Sequence, residues 1–299
     1  MTTTVDIGIC TFRRDSLMDT LDSLAQLNLP DGVTIRVIVA DNDETPALRP
    51  KVDAKGAACP FPVTYVHAPA RNISIARNAC LDAADARWFA FIDDDETAVP
   101  DWIAAFLDRA EETGAGVLFG PVEGIYEDGA PAWLRENGAH DTYPTRYKGV
   151  VETGYTSSVI MDRSDPRVRD LRFRLELGRT GGEDVDFFFR LHSKGVTLDV
   201  ADGAVVREPV PPARMKMSWL LRRRYMTGQI YSSCAIGIAD RPRLRLCLSA
   251  AAKAGYCSLR ALLAVPSQTR RAFWIMRGAF HTGVFSGCFK QPSRQMYGG

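Results

Sequence analysis

Short apolar runs alternate along the first two thirds of the chain with stretches in which apolar residues recur every three or four positions. The runs are rich in β-branched and aromatic residues and predict buried strands, whereas the periodic stretches predict amphipathic helices. Strands are expected at residues 5–12, 34–40, 63–67, 89–92, 117–122, 156–161, 196–200 and 204–206, and helices at 15–27, 75–86, from Pro100 onward, and at 184–194. Such alternation predicts an α/β fold with a mainly parallel sheet flanked by helices.

Proline and glycine mark the segments that do not fit this alternation. A Pro-rich loop is expected between the second and third strands. The Gly-, Pro- and Trp-rich residues 123–151 are expected to form an irregular cover over a ligand crevice. Three prolines within 209–212 place a boundary between a catalytic domain at 1–210 and a C-terminal region at 211–299.

The two regions differ sharply in charge. Residues 1–210 carry 22 Lys and Arg against 35 Asp and Glu, whereas residues 211–299 carry 15 against one, so the net charge of +1 conceals a large asymmetry. An acidic domain binds nucleic acid poorly, and a nucleic-acid partner is therefore not expected. A basic region is suited instead to an anionic membrane surface.

The C-terminal region is predicted to contain a helix at 244–265 with one cationic side. Arg245, Lys253 and Arg260 are spaced so that they fall on the same side of a helix with 3.6 residues per turn. Mostly apolar residues fill the rest of its circumference, and the segment that follows mixes aromatic residues with arginines. Because basic amphipathic helices bind membrane interfaces, residues 241–299 are expected either to bind an anionic membrane surface or to form a helical cap with solvated cations.

Cysteine usage and the N-terminal sequence predict a cytoplasmic protein. The seven cysteines are scattered without a Cys-x-x-Cys pair, which fits reduced thiols better than a disulfide framework or a zinc site. The N-terminus lacks the basic segment of a signal peptide, and no uncharged apolar run reaches the roughly 20 residues of a spanning helix. With the basic C-terminal region, these features predict a protein bound peripherally to the cytoplasmic face of a membrane.

Four acidic residues, Asp93 to Glu96, follow directly after the apolar run at 89–92. Side-by-side carboxylates repel one another, and a divalent cation such as Mg²⁺ or Mn²⁺ is a common compensation. In open parallel sheets, ligands lie outside the carboxyl ends of the strands. Asp41 also follows a strand, so the two acidic turns should converge on one crevice. The alternative is a solvated acidic turn.

A second acidic position, Asp184, follows Gly181 and Gly182 at the predicted start of a helix. A carboxylate at a helix N-terminus is favoured by the exposed N–H groups there, which suits it to act as a general base; plain N-capping is the alternative. Arg71 and Arg77 lie beside another helix start, where a guanidinium could meet a phosphate or a base edge, or simply remain solvated.

Five motifs in order give the chain a resemblance to family 2 glycosyltransferases over residues 4–210. They are Cys10-Thr11-Phe12-Arg13-Arg14, Val39-Ala40-Asp41-Asn42-Asp43, the segment from Arg71 to Asn78, Phe91-Ile92-Asp93-Asp94-Asp95, and Gly182-Glu183-Asp184-Val185-Asp186. The continuation at 209–228, with Arg222-Arg223-Arg224-Tyr225, resembles the bacterial exopolysaccharide branch of the family, including succinoglycan-type glucosyltransferases.

The resemblance implies a GT-A fold and a hexosyltransferase that uses a nucleotide-sugar donor, usually UDP-linked, and Mn²⁺ or Mg²⁺, with inversion at the anomeric carbon. The acceptor would be a saccharide or a lipid-linked oligosaccharide. By position, Thr11, Asp41 and Arg77 would hold the uridine of the donor, and Asp93 and Asp94 would lie near its ribose and diphosphate. Arg13 is a further donor-binding residue, Asp95 the metal ligand and Asp184 the catalytic base.

Two departures qualify the resemblance. Phe12-Arg13 replaces the usual Tyr-Asn, so a tyrosine hydroxyl contact is lost. The Gln-x-x-Arg-Trp motif of processive synthases is absent, which favours transfer of one sugar at a time.

Two other functions remain possible from the sequence. Asp93-x-Asp95-x-Thr97 fits the phosphohydrolases of the haloacid dehalogenase type, in which the first Asp attacks phosphate, although that family carries the motif on its first strand. The chain could also be a catalytically inactive nucleotide-sugar-binding module on a membrane.

Overall fold

The computed structural model describes residues 3–289 and divides them into two compact units. The first unit comprises residues 3–123 and 142–208, and the second comprises 124–141 and 209–289. The predicted boundary at residue 210 assigns 124–141 to the first region, whereas these residues group with the second unit.

Most of the predicted strands and helices lie close to elements of the structure, which also contains elements that were not predicted. The strands are β1 Thr3–Thr11, β2 Val33–Asp41, β3 Val63–His67, β4 Trp88–Ile92, β5 Thr97–Ala98, β6 Val117–Phe119, β7 Val122–Ile125, β8 Arg146–Tyr147, β9 Val150–Val151, β10 Ser158–Asp162, β11 Leu198–Val200 and β12 Val206–Pro209. The helices are α1 Leu17–Leu24, α2 Arg49–Ala58, α3 Ile73–Ala83, α4 Trp102–Thr113, α5 Ala132–Glu136, α6 Pro166–Arg169, α7 Glu183–Ser193, α8 Met217–Gly237, α9 Arg243–Leu263 and α10 Gln268–Gly287.

A seven-stranded sheet with the order β11-β6-β10-β4-β1-β2-β3 organises the first unit. β1 pairs in parallel with β2 and β4, and β2 pairs in parallel with β3. β10 runs antiparallel between β4 and β6, and β11 is parallel to β6. The predicted mainly parallel sheet is confirmed.

Alternating side chains of β2 show how this sheet is covered on both faces. Val37 and Val39 belong to one buried cluster, which also contains residues of α1 and α4, and Ile38 and Ala40 belong to another, which contains residues of α3 and α7. A strand buried on both faces loses the apolar–polar alternation of a half-exposed strand, which explains its continuous apolar sequence.

Three segments differ from the expected pattern. Residues 49–58 form α2 rather than a loop, because Pro50 lies in the first turn, where a helix needs no N–H group, and Val52 is buried. The strand expected at 117–122 is divided into β6 and β7. A Cβ on Gly120 would lie 1.9 Å from the Ala204 carbonyl oxygen, so the backbones approach too closely there for any other residue.

The segment at 123–151, expected to be irregular, contains α5 and the antiparallel β8–β9 pair. α5 belongs to the second unit because its apolar residues join a cluster with α8 and α10. The buried members of this cluster are Trp133, Leu134, Ala139, Leu220, Ala272 and Met276.

Three long helices, α8, α9 and α10, make up most of the second unit. The helix predicted at 244–265 is α9, whereas no helix is predicted at 217–237, where α8 has apolar residues distributed around its axis. Within residues 3–289, none of the helices is both long enough and apolar enough to cross a membrane.

Glycines allow α8 and α10 to pack backbone against backbone. A Cβ on Gly228 of α8 would lie 2.2 Å from the Phe280 carbonyl oxygen, and one on Gly283 of α10 would lie 2.0 Å from the Tyr225 carbonyl oxygen. Gly287, one turn further along α10, faces Gln229 and Ser232 at similarly short distances. Any side chain at these positions would force the two helices apart.

Replacing Gly228 with alanine should therefore destabilise the protein by about 1–3 kcal/mol, because overpacking outweighs the better helix propensity of alanine. Thermal and urea unfolding of the full chain measure the change. Gly255→Ala in α9 is the matched control, because nothing lies within 4 Å of the added Cβ, and it should stabilise by up to about 1 kcal/mol. Similar shifts in both variants would contradict close packing at Gly228.

Candidate active site

The carboxyl ends of four neighbouring strands bring polar residues together at one edge of the sheet. Thr11 at the end of β1 lies in register with Asp41 at the end of β2, and Asp41 lies in register with His67 at the end of β3. The Thr11 hydroxyl donates a 2.7 Å hydrogen bond to Asp94, which follows β4. The strand ends that carry Asp41 and the acidic turn therefore converge, as the alternation predicts, and Thr11 joins them.

The acidic turn after β4 is closed by its own last residue. The Asp93 N–H donates to the Glu96 carboxylate at 3.0 Å, and the Glu96 N–H donates to the Asp93 carbonyl at 3.2 Å. Asp94 and Glu96 are buried. The alternative of a solvated acidic turn is therefore wrong.

Burial shifts the ionisation of this turn. Desolvation raises the pKa of Asp93 to about 7 and that of Asp94 to about 6, and the neighbouring carboxylates add to both shifts. Desolvation also raises the pKa of Glu96 well above its usual value. A cation close to these groups is needed to keep them all ionised near neutral pH.

Arg14 supplies one such cation. Its guanidinium hydrogen-bonds to Asp95 and donates to Asp94 at 3.3 Å. The sequence placed Arg14 in a motif but gave no signal for this contact, because nothing in the spacing shows which way a loop after a strand will turn. The acidic turn is thus partly neutralised by the chain itself.

Asp95 is the acidic residue best placed to bind a metal ion. Its side chain keeps 24% of its surface exposed, whereas that of Asp94 keeps 8%. Across residues 3–289, no group of three or more Asp, Glu, His or Cys side chains is arranged to hold a metal on its own. A single carboxylate still suits Mg²⁺ or Mn²⁺ at a phosphate site, since phosphates and water usually complete the shell.

Asp41 is fully buried and held in one orientation. It accepts hydrogen bonds from the Tyr65 hydroxyl at 2.6 Å and from the Asp43 N–H at 3.0 Å. Burial, together with this contact to Asp41, raises the pKa of Tyr65, so the phenol stays protonated and remains a donor. Tyr65 is a site residue that the sequence did not single out.

Arg13 and Arg71 flank the ring of Phe12 at the edge of the crevice. Their guanidinium carbons lie 5.2 and 5.9 Å from the ring centroid, respectively. Arg13 forms two 2.8 Å hydrogen bonds with Asp43, which hold the pKa of that carboxyl below its usual value. Arg71 is 3.4 Å from Glu44. Phe12 and two cations together form a surface on which an aromatic base could stack.

Arg77 is buried rather than open to the crevice. Its guanidinium pairs with Glu183, and the two side chains keep only 6% and 1% of their surface exposed. It also lies 5.6 Å from the ring of Phe173. Desolvation raises the pKa of Glu183 to about 7, although Arg77 opposes the shift. The uridine-binding role expected of Arg77 stays a prediction, and it would require this guanidinium to serve a second partner.

Asp184 lies in the first turn of α7, as the sequence predicts. Gly181 and Gly182 precede the helix with φ angles of 83° and 87°, a left-handed conformation that glycine adopts without strain. The Asp184 carboxylate accepts a 2.7 Å hydrogen bond from the Val185 N–H and is partly exposed. Asp184 is thus partly open to solvent at the N-terminus of a helix.

The loop before Asp184 is fixed to the start of α3. Asn72 caps α3 by accepting from the Ser74 and Ile75 N–H groups, and its amide donates to the Leu175 carbonyl at 2.9 Å. The Ser74 hydroxyl donates to the Arg174 carbonyl at 2.9 Å. With the Arg77–Glu183 pair, these contacts connect α3 to the beginning of α7.

Fold and site together describe an α/β protein with an acidic cluster at the carboxyl ends of its central strands. Residues 6–166 match the family described as Glycosyl transferase family 2, and residues 88–289 match Glycosyl transferase family group 2. The chain is 42% identical over 298 residues to succinoglycan biosynthesis protein ExoM of Rhizobium meliloti (strain 1021). The match covers 98% of this chain and 96% of that protein.

Solved structures share the fold at low sequence identity. The mannosyltransferase PcManGT of Pyrobaculum calidifontis, in complex with GDP-Man and Mn²⁺, is 17% identical with a TM-score of 0.59, over 94% of this chain and 87% of that one. S. aureus TarS 1-349 in complex with UDP-GlcNAc is 14% identical with a TM-score of 0.53. The match covers 95% of this chain and 92% of that one.

The fold is therefore GT-A, with a C-terminal helical region. The chain belongs to glycosyltransferase family 2 and is a glycosyltransferase. The phosphohydrolase alternative does not hold, since the acidic motif follows the fourth strand rather than the first.

The buried position of Arg77 leads to a stability prediction. Arg77→Met should destabilise the protein by about 3–5 kcal/mol at pH 8, because it leaves Glu183 buried and ionised without a cation. Loss of Arg77 raises the pKa of Glu183 further, so the cost should shrink as the pH falls toward 7, because Glu183 takes up its proton above that pH in the variant. Urea unfolding at pH 6 and pH 8 measures both effects.

The double variant Arg77→Met/Glu183→Leu is the control, and it should recover most of the lost stability because no unpaired charge remains. If Arg77→Met unfolds like the unmodified protein at both pH values and loses only donor affinity, the ion pair contributes little and a uridine-binding role is favoured.

Proposed function

We propose that this glycosyltransferase transfers one sugar from a UDP-sugar donor to a hydroxyl of a saccharide acceptor, with inversion at the anomeric carbon. The acceptor is proposed to be lipid-linked and to belong to the synthesis of an exopolysaccharide of the succinoglycan type. The full-length similarity to succinoglycan biosynthesis protein ExoM supports this setting. The absence of a Gln-x-x-Arg-Trp motif supports transfer of a single sugar in each reaction.

The convergence of Thr11, Asp41 and Asp94 at one sheet edge is the observation that carries the proposal. In an open parallel sheet, this edge is where a nucleotide binds. Thr11 and Asp41 are proposed to hold the uridine, with its base against Phe12 between Arg13 and Arg71. Arg77 stays a proposed uridine ligand, although Arg71 is the more exposed of the two cations.

The acidic turn is proposed to hold the rest of the donor. Asp93 and Asp94 would lie near the ribose and the diphosphate, and Asp95 would ligate Mn²⁺ or Mg²⁺. When bound, the metal offsets the negative charge that develops on the leaving nucleoside diphosphate. Arg14 already contacts Asp94 and Asp95, so its cation would lie close to the same phosphates.

Asp184 is proposed as the general base. Its carboxylate would accept the proton of the acceptor hydroxyl as that oxygen attacks the anomeric carbon and the bond from the sugar to the diphosphate breaks. A single in-line displacement of this kind inverts the anomeric centre and requires no covalent nucleophile. The position of Arg77 supports this assignment. Its charge acts both on Asp93 in the acidic turn and on Glu183, the neighbour of Asp184, so the proposed base lies near the proposed donor site.

Residues 241–299 are proposed to bring the enzyme to the cytoplasmic face of an anionic membrane. They contain no Asp or Glu, so any anionic surface attracts them without opposing repulsion. A lipid-linked acceptor would be found at the same surface.

The metal proposal predicts that Asp95→Ala abolishes sugar transfer, because the diphosphate would lose its cation as it leaves. The measurement is release of UDP from a panel of UDP-sugars with Mn²⁺, Mg²⁺ or EDTA present, with and without a saccharide acceptor. Asp101→Ala, an exposed carboxylate before α4, is the control and should retain transfer. Metal-independent turnover by Asp95→Ala would refute the proposal that Asp95 ligates the metal. Donor binding without transfer in the unmodified protein would favour an inactive binding module.

The base proposal predicts that Asp184→Asn keeps donor affinity while losing transfer by about 10²–10⁴-fold, because the amide keeps the shape but cannot accept the proton. Donor affinity is measured by calorimetry and transfer by UDP release. Asp186→Asn is the neighbouring control for general damage to α7, since Asp186 pairs with Arg174 and Arg190. Transfer by Asp184→Asn at the unmodified rate would exclude it as the base.

A further inference from the structure

Helix α9 exposes an apolar face that nothing in the described part of the chain covers. Five leucines of this helix are between 54% and 72% exposed. They are Leu244, Leu248, Leu259, Leu262 and Leu263. A soluble helix normally turns its leucines toward the core, so a row of this kind indicates a binding surface.

Helical geometry places these leucines within one sector of α9. At 100° per residue, they fall within about 100° of the circumference, and Ala251, Ala252 and Gly255 fill the same sector with small exposed residues. Three other residues, Cys247, Ala250 and Cys257, are buried and lie on the opposite side. The apolar sector, here called the leucine face, is therefore separate from the side by which α9 packs within its unit.

Cations border the leucine face along one side. Arg245, Lys253 and Arg260 are all exposed. Arg245 lies at the edge of the leucine face, and Lys253 and Arg260 lie in the sector next to it, together with Tyr256. No Asp or Glu occurs anywhere from residue 241 to residue 299. An apolar sector with a cationic border and no acid matches an anionic lipid surface, whose headgroups meet the cations while its acyl chains meet the leucines.

We propose that α9 lies flat in the membrane interface with its leucine face inserted among the acyl chains of anionic lipids. The inference deepens the proposed membrane association, on which it rests. The leucines run roughly 28 Å along the helix axis, as expected from 1.5 Å per residue, so the whole helix is in contact rather than one anchoring side chain. Insertion of the leucines supplies most of the free energy of membrane binding, and the cations give the helix its preference for anionic lipids.

Vesicle binding of the full-length protein tests the proposal. Co-sedimentation with phosphatidylcholine vesicles, and with vesicles containing phosphatidylglycerol, is measured at 0.1 and 0.5 M NaCl. Leu244→Gln/Leu248→Gln/Leu262→Gln should lower the partition coefficient by roughly 100- to 1,000-fold in both salts, since each lost leucine contact costs roughly fivefold to tenfold. The control Ile125→Gln/Val150→Gln/Leu175→Gln removes three apolar side chains of 46–52% exposure elsewhere and should bind like the unmodified protein.

A second variant separates charge from insertion. Arg245→Gln/Lys253→Gln/Arg260→Gln should lose most of the preference for phosphatidylglycerol, roughly fivefold for each cation, but keep the residual binding at 0.5 M NaCl, where surface charge is screened. Unmodified protein that binds no vesicles would overturn the membrane association together with the insertion. Binding that is lost in the cation variant but kept in the leucine variant would overturn the insertion alone.

Sedimentation velocity without vesicles tests whether a second copy of the chain, rather than a membrane, covers the leucine face. The unmodified protein and the leucine variant should sediment alike. A concentration-dependent dimer that the leucine variant abolishes, with no vesicle binding, would instead make the leucine face a contact between two copies of the chain.

Discussion

Accumulation of negative charge at one edge of the sheet is the constraint on which the rest of the catalytic unit depends. Parallel pairing brings the ends of β1, β2 and β4 together, and these ends carry Asp41 and the turn from Asp93 to Glu96. Burial raises the pKa values of Asp93 and Asp94 by penalising their charged forms, and repulsion between the neighbouring carboxylates adds to the shift. Arginines offset this charge: Arg14 contacts the turn from the loop after β1, and others lie on the surrounding loops and helices.

These arginines divide into two groups with different accessibility. Arg13, Arg14 and Arg71 remain partly exposed, so an anionic ligand can reach them. Arg77 is enclosed, and its guanidinium is used inside the protein to compensate Glu183 and to lower the cost of ionising Asp93. The same residue type thus contributes to ligand recognition at one place and to the internal charge balance at another.

Much of the fold and the composition of the site followed from the sequence because both depend on local patterns. Apolar runs and helical periodicity located the main strands and helices around the sheet. The strand ends located Asp41 and the acidic turn, and the family resemblance added Thr11. The partners of long side chains did not follow: Arg77 and Glu183 are 106 positions apart, and no spacing rule relates them. α2 was missed because proline was taken as a loop former, although the first turn of a helix accepts it.

The glycine contacts between α8 and α10 have a consequence for the medium in which the second unit can remain folded. Two helices that are held together mainly by burying leucines from water lose much of the driving force for their association in hydrocarbon. Hydrocarbon dissolves leucine as readily as a protein core does. Helices whose backbones touch through Gly228, Gly283 and Gly287 are held by close contact, which does not depend on the exclusion of water. The α8–α10 pair is therefore of a kind that stays assembled where water gives way to lipid.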